Sequence, residues 1–500
     1  MSRSATRRAA DRRVGDPTRC EWRRWDIIEA RYTDPRRLAG VLRPLPMFAL
    51  PGLIGLIVFM YLRPQEYYTF LQKAPFLYLF FAGAIGGLII DLKLRLLRPV
   101  PSRLFWLSVI YTGWLVVVDF LKASSPIGPL TLYAMVFAMF LVISQAVQSF
   151  RAFRIVAGTV LAVGLVLALI GAHQGSAPRG CLLTSGGHLG HGQPDGRHCE
   201  TVMDCLSEDA EPGADYSCER VGLMGTTAID DRVRYRGQLQ DPNELALVVV
   251  AAMPFLFGFW IRRRDTFSKI LGIVGVTLIL KCVINTQSRG GMLIFLAVVG
   301  VYFVRKYGIK YAVFGFFAML PMLALGGRSG DKADASTEGR YEAWRAGLDM
   351  LAMDPIFGVG HKQFTEYHHL TAHNSYVLAF AETGVIGMFL WVSILYLTVK
   401  IPIVALRDFD NDPRAGAIRA WALSLIGMSA AYLVQMLFLS LCYHAITWVF
   451  FGLSGALYSA VKRHAPGWEV KFGLRDAAIV MACCLGFIMI LPFFLRLKGF

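Results

Sequence analysis

Hydrophobic residues along the chain fall in long blocks of about 18 to 25 residues that carry few charges. A helix of that length crosses the roughly 30 Å hydrocarbon core of a bilayer. The blocks lack the polar alternation of barrel strands, and lipid admits only helices and closed barrels. The pattern therefore predicts an all-α polytopic membrane protein with about 12-13 transmembrane helices.

The candidate spans lie near residues 45-62, 74-92, 104-121, 127-147, 153-172, 242-261, 267-285, 290-304, 311-326, 374-398, 417-441, 444-461 and 476-495. Polar segments between them divide the chain into six regions. These are a basic tail 1-44, five helices in 45-172, a cysteine-containing loop 173-241, helices 6-9 in 242-326, a second large loop 327-373 and C-terminal helices in 374-500.

Basic residues predict the orientation of the helices. The first 44 residues hold twelve arginines against six acids and no hydrophobic core, which favours a cytosolic tail over a cleaved signal peptide. With this tail inside, lysine and arginine are concentrated in the inner loops, as the positive-inside rule requires. The net charge of +16 is divided among those loops, which suits contact with anionic membrane lipids and argues against nucleic-acid binding. Both large loops are then expected on the outer side.

Four cysteines lie in the first large loop: Cys181, Cys199, Cys205 and Cys218. In an oxidising compartment they are expected to form two disulfides, with three pairings open. A zinc site that uses His188, His191 or His198 is the alternative, although the loop has no C-x2-C pair.

Three helices begin on the predicted outer side with distinctive sequences. These are "RYRGQLQDPNELALVVV", "INTQSRGGMLIFL" and "TAHNSYVLAF", in which Asp241 and Asn374 are candidate caps and His373 precedes the third helix. Unpaired N–H groups and the positive end of a helix suit an anion, although such residues can also simply terminate helices. Arg234, Arg236 and Arg289 flank two of the starts, and guanidinium groups bind phosphate oxygens bidentately.

Two charges inside predicted spans call for a partner. Lys281 precedes Arg289 by eight residues and Glu382 follows His373 by nine, which sets them at similar depths of about 12 and 14 Å. Buried ions of opposite charge are expected to pair, so we predict a structural ion pair between Lys281 and Glu382 if their helices are neighbours.

The second large loop contains apolar residues at helical spacing. They are Tyr341, Trp344, Leu348 and Leu351, with charged residues at the positions between them. This spacing predicts an amphipathic helix that lies at the membrane interface.

Several motifs, taken together, resemble the O-antigen ligase and O-antigen polymerase superfamily. They are "RGQLQDPNELA", "QSRGG", "EGRYEAWRAGLDMLAMDPIFGVGHKQF" and "AHNSYVLAFAETGVIG", within about residues 234 to 400. The resemblance implies a metal-independent glycosyltransferase of the bacterial inner membrane, without a cofactor. It would move a glycan from undecaprenyl diphosphate to an acceptor at the periplasmic face. The cysteine-containing insert, 181 to 218, departs from the general pattern of the superfamily.

The resemblance also implies roles for individual residues. His373 matches the histidine proposed as the base, and Arg289 and Arg236 match diphosphate-binding arginines, with Arg340 as a third candidate. The residue types suit these roles, because a histidine with a pKa near 6.5 can take the proton of a sugar hydroxyl. A nearby helix start favours the neutral imidazole.

Two questions stay open at the level of sequence. The acceptor is a lipid A core for a ligase or a lipid-linked glycan for a polymerase, and the two share the same chemistry. A transporter or flippase of polysaccharide or its lipid-linked precursor, without covalent chemistry, is the alternative from another class. Internal repeats and charges at mid-depth would favour transport, whereas the distinctive residues here gather at one face.

Overall fold

The computed structural model describes residues 47-122, 127-185, 194-207, 210-262, 266-311, 314-315, 317 and 331-500. The basic tail 1-44, most of the predicted span 311-326, and His188 and His191 lie outside these residues.

Helices dominate the described part of the chain. They are α1 Ala49–Leu62, α2 Phe76–Lys93, α3 Arg103–Lys122, α4 Ile127–Ala146, α5 Phe150–Gln174, α6 Pro242–Arg262, α7 Thr266–Asn285, α8 Arg289–Tyr307, α9 Asp331–Met353, α10 Ser375–Asp408, α11 Gly416–Gln435, α12 Ala445–His464 and α13 Leu474–Leu497. Short helical turns lie at Pro64–Glu66, Thr69–Gln72, Val202–Leu206, Leu223–Gly225, Gly237–Leu239, Ile309–Tyr311 and Phe364–Tyr367. Ten of the described helices are long and apolar enough to cross a membrane, and α1 and the apolar part of α4 are shorter. The prediction of an all-α polytopic membrane protein is confirmed.

The cysteine-containing loop folds as a small sheet, which the sequence patterns did not predict. Its strands are β1 Arg179–Ser185, β2 Pro194–His198 and β3 Asp215–Arg220, arranged antiparallel in the order β2-β1-β3. Disulfides join Cys181 to Cys205 and Cys199 to Cys218, and the cysteines form the buried centre with Leu183 and Tyr216. Since these thiols are used in disulfides, they offer no thiolate to a zinc ion in this structure. A segment of this size buries little apolar surface, so the disulfides replace a larger core.

Helix α10 is broken at Gly384, where the backbone adopts φ 69° and ψ −175°. The inserted loop, residues 355-363, enters this break and bonds to the helix backbone: Val359 N to Ala381 O (2.9 Å), Gly360 N to Glu382 O (3.1 Å) and Val385 N to Pro355 O (2.9 Å). Only glycine fits at position 384, because the positive φ is unfavourable for other residues and a Cβ would lie 2.0 Å from the carbonyl oxygen of Ile356. The loop thus satisfies backbone groups that the break would otherwise leave unpaired.

We expect the disulfide module to be a structural unit that depends on oxidation. Peptide mapping of the unreduced protein should recover Cys181 linked to Cys205 and Cys199 linked to Cys218. Reduction should make the module sensitive to protease, because cross-links closing loops of this length contribute about 3 kcal/mol. Recovery of the other pairings, or full alkylation without reductant, would contradict this arrangement.

Candidate functional site

Helices α6 and α8 begin side by side, and a polar junction joins their starts. The Asn243 side chain donates to Asp241 Oδ1 (2.7 Å) and accepts from the Ser288 hydroxyl. Ser288 caps α8 by accepting from Gly291 N at 2.8 Å. The buried junction therefore fixes the first turn of α8, with Arg289 as its first residue, against the first turn of α6.

A cavity of about 230 Å³ lies beside this junction. Three arginines line it, Arg232, Arg289 and Arg340, and the remaining lining comes from Asn243, Gln287, Ser288, Gly290, Ser336, Thr337, Tyr341, Trp344 and Phe438. The volume corresponds to several water molecules, and the guanidinium groups face it together with the start of α8. Such a lining suits an anionic group with several oxygen atoms.

The structure divides the predicted arginines into two groups. Arg289 and Arg340 line the cavity, as expected for residues that bind one anion. Arg236 does not line it, because its guanidinium donates instead to the carbonyl oxygens of three residues: Glu66, Met224 and Gly225, at 2.7 to 2.9 Å. In this arrangement Arg236 ties the loop before α6 to the segment after α1, and its role as a diphosphate ligand stays a prediction.

Arg232 is the cavity residue that sequence reasoning missed. It begins the alternating series Arg232, Arg234 and Arg236, and this spacing alone does not show which side chain faces the site. Arg234 donates to Thr227 O at 3.1 Å, and burial lowers its pKa although Glu219 opposes the shift. Arg232 both donates to Thr286 O at 3.0 Å and lines the cavity.

His373 lies immediately before α10 in the left-handed region, at φ 45°. The predicted cap is confirmed, because Asn374 Oδ1 accepts from Tyr376 N and Val377 N at 2.9 and 3.2 Å. Burial lowers the pKa of His373, the neighbouring Arg340 lowers it further, and Asp241 opposes the shift. The imidazole is thus neutral at pH 7, next to an arginine of the cavity and an acid of the polar junction. A non-glycine residue at positive φ is a strained feature of the kind found at functional sites.

The predicted amphipathic helix is present as α9, and it closes one side of the cavity. Tyr341 and Trp344 line the cavity and contact the ring of Phe494 in α13. Trp344 Nε1 also donates to Ala372 O at 3.0 Å, next to His373. One helix therefore carries Arg340 and also holds the residue that precedes the histidine.

The predicted ion pair between Lys281 and Glu382 is not among the ion pairs of the described residues. Lys281 is exposed on α7, whereas Glu382 is buried on α10, where its carboxylate accepts from Phe364 N at 3.2 Å. Similar depth in the membrane was not sufficient for Lys281 and Glu382 to pair, because α7 and α10 place these side chains in different surroundings.

The described residues form a polytopic helical membrane protein with an arginine-lined cavity beside the starts of α6 and α8. Residues 274–392 match the model of the family described as O-Antigen ligase. A relative, the "Exopolysaccharide production protein ExoQ" of Rhizobium meliloti (strain 1021), is 23% identical over an alignment of 231 residues that covers 39% of this chain and 53% of that protein. The chain thus spans about half the length of this relative. These matches confirm the resemblance to the O-antigen ligase and polymerase superfamily.

We expect the close approach of α6 and α8 to require glycine at position 291. A Cβ on Gly291 would lie 2.8 Å from the Cβ of Ala246, whereas one on Gly300, in the same helix, would meet nothing within 4 Å. Gly291→Ala should therefore lower the thermal unfolding temperature of the purified protein, because the overlap outweighs the gain in helix propensity of about 1 kcal/mol. Gly300→Ala is the matched control and should be neutral or stabilising. Equal behaviour of the two variants would argue against a tight junction.

Proposed function

We propose that this protein transfers a glycan from undecaprenyl diphosphate to an acceptor hydroxyl at the periplasmic face of the bacterial inner membrane, in the synthesis of a cell-surface polysaccharide. The observation that carries the proposal is the proximity of Arg340, one of the three arginines of the cavity, to the partly buried, neutral His373. The match to the O-Antigen ligase family and the similarity to an exopolysaccharide production protein support the same chemistry.

The cavity would bind the diphosphate of the donor. Arg289, from the start of α8, and Arg340, from α9, would both donate to its oxygens. Arg232 would add a third positive charge. Guanidinium groups stay protonated, so they can stabilise the charge that collects on the diphosphate as it leaves.

His373 would act as the general base. The acceptor oxygen attacks the anomeric carbon, the bond from that carbon to the diphosphate oxygen breaks, and the electron pair leaves with the diphosphate. The proton of the acceptor passes to the imidazole. A free enzyme resists protonation of His373 because Arg340 is close, and a bound diphosphate would offset that charge. Donor binding would thereby make the histidine a stronger base at the moment it is needed.

Transport without covalent chemistry is the second candidate, and one observation favours it. Helix α10 is broken within the predicted membrane region, as helices of transporters often are. A transferase needs no sealed compartment, so conversion of a lipid-linked oligosaccharide by the purified protein in detergent separates the two. Products that lengthen without lipid A core indicate a polymerase, and products that require the core indicate a ligase.

His373→Ala should strongly reduce transfer, because it removes the group that the proposal assigns to take the acceptor proton. The exposed His369 is a matched control, and His369→Ala should keep near wild-type activity. Loss of a general base reduces the rate by about 10²- to 10⁴-fold. Turnover of the donor and thermal unfolding should be measured for both variants. Substantial turnover by a folded His373→Ala protein would exclude the imidazole as the base.

The pH dependence of kcat/KM should follow the pKa of His373, which the neighbouring charges of Arg340 and Asp241 shift in opposite directions. The neutral imidazole is the active form, so activity rises with pH through its pKa, which burial and Arg340 lower below 6.5. Arg340→Gln removes a cause that lowers the pKa and should move the acid limb to higher pH. Asp241→Asn removes a cause that raises it and should move the limb to lower pH. Shifts of the same sign in both variants would contradict this assignment.

A further inference from the structure

Glu382 has an unusual environment that its predicted pairing with Lys281 does not explain. It lies on α10 two residues before the break, about 10 Å below the helix start, and is only 2% exposed. Its carboxyl Oε1 accepts from Phe364 N at 3.2 Å, and the backbone N–H of Lys362 also bonds to the carboxyl group. The side chain therefore holds the end of the inserted loop, while the backbone of residues 381 and 382 holds its middle.

The second oxygen of Glu382, Oε2, lies in a buried polar cluster. Each member of this cluster has a buried side-chain N or O atom that lacks a well-formed hydrogen bond to another described residue. The members are Tyr111, Asp119, Tyr133, His361, Glu382 and Tyr443. The rings of Tyr133 and Tyr443 both contact His361, with centroids 4.9 and 4.3 Å from its own, and their centroids lie 6.3 Å from each other. Tyr443 presents its hydroxyl to Glu382. Polar atoms buried in this way are ordinarily bridged by ordered water.

No described residue supplies a counter-ion to Glu382. The adjacent His361 is neutral, because burial lowers its pKa to about 3 and Lys362 adds to the shift. The exposed Lys362 acts on Glu382 through its charge but lies beyond ion-pair distance, and Lys122, the last residue of α3, is paired with Asp354 at 2.6 Å. An ionised carboxylate buried without an ion-pair partner carries a large desolvation cost, and a protonated acid does not. As an acid, Glu382 can accept the two backbone N–H groups on Oε1 and donate from Oε2 toward the Tyr443 hydroxyl.

We propose that Glu382 is a positioning residue that latches the inserted loop to α10 as a protonated carboxylic acid, and so fixes the segment that leads to His373. That segment runs from Phe364, which is 1% exposed, to His373, and it continues directly into α10. Its other tether is the bond from Trp344 to Ala372 O. The latch itself does not depend on the proposed function, but the effect of the latch on catalysis rests on that function.

The latch can be tested without any substrate, by hydrogen–deuterium exchange of the full-length protein in detergent at pH 7. Glu382→Ala should increase exchange across residues 355-367 by at least about tenfold, because it removes the acceptor of two backbone amides. Glu382→Gln should leave exchange within about twofold, since the amide oxygen still accepts and the group is neutral. Tyr443→Phe, a milder change, should increase exchange in the same direction. Lys281→Met is the control and should leave it unchanged.

Several other titratable groups surround Glu382, so the exchange experiment must separate the protonation of Glu382 from theirs. They are His361 and Lys362 of the inserted loop, Tyr111 and Asp119 of α3, Tyr133 of α4, and Cys442 and Tyr443 after α11. The glutamine variant removes the titration of Glu382 and leaves the others in place. Exchange that is equally slow in wild type and Glu382→Gln at pH 7 supports a protonated Glu382. If Glu382→Gln exchanges as fast as Glu382→Ala, the group acts as an ion and the proposal is wrong.

Activity then tests the consequence for His373. Glu382→Ala should lower kcat by about 10²-fold with little change in KM, because a displacement of about 1 Å of a catalytic group has that effect. Glu382→Gln should restore kcat to near wild type. Unchanged exchange in both Glu382→Ala and Tyr443→Phe would overturn the latch, whatever the activity. If exchange changes as expected while wild type transfers no glycan, the proposed function fails and the latch stands.

Discussion

The hydrogen bond between the Ser288 hydroxyl and the side-chain oxygen of Asn243 links the starts of two helices that are far apart in sequence. Asn243 is held in turn by Asp241, and Ser288 caps α8, so the two first turns have little freedom to move. Arg289 follows Ser288 directly, which places its backbone at the cavity. Gly291, two residues after Arg289, allows α6 to approach closely enough for this bond to form.

The electrostatics of the cavity explain why a neutral histidine and several arginines can share a site. Burial lowers the pKa of His373, and the guanidinium group of Arg340 acts in the same direction. A diphosphate in the cavity would reverse that balance, because its negative charge offsets the arginines. Without the donor, the positive charge of the cavity would suppress proton transfer to His373. With the donor bound, the diphosphate would offset that charge and permit the transfer.

Much of the fold could be predicted from local sequence, because hydrophobic blocks and caps are local features. The spans, the cap at Asn374 and the amphipathic helix α9 follow from spacing alone. The break at Gly384 could not be predicted, because it depends on a loop that precedes the helix and inserts into it. The sheet of the cysteine module was missed because its strands are only five to seven residues long and carry few apolar residues.

The site was predictable in part for the same reason. Arg289 and His373 are tied to helix starts, so their positions follow from sequence, whereas Arg236 lies in an irregular loop where the side chain can face either way. The depth of Lys281 and Glu382 could be calculated, but the rotation and neighbours of their helices could not. Glu382 is consequently explained by the inserted loop and not by a distant charge.

The central claim is that the arginine-lined cavity binds the diphosphate of a lipid-linked glycan beside His373. A structure determined by electron cryomicroscopy in nanodiscs with undecaprenyl diphosphate tests it most directly. We predict diphosphate density in the cavity, with its oxygens within hydrogen-bonding distance, about 2.7 to 3.2 Å, of the Arg289 and Arg340 guanidinium groups. Diphosphate density bound elsewhere on the protein, with neither arginine in contact, would contradict the account.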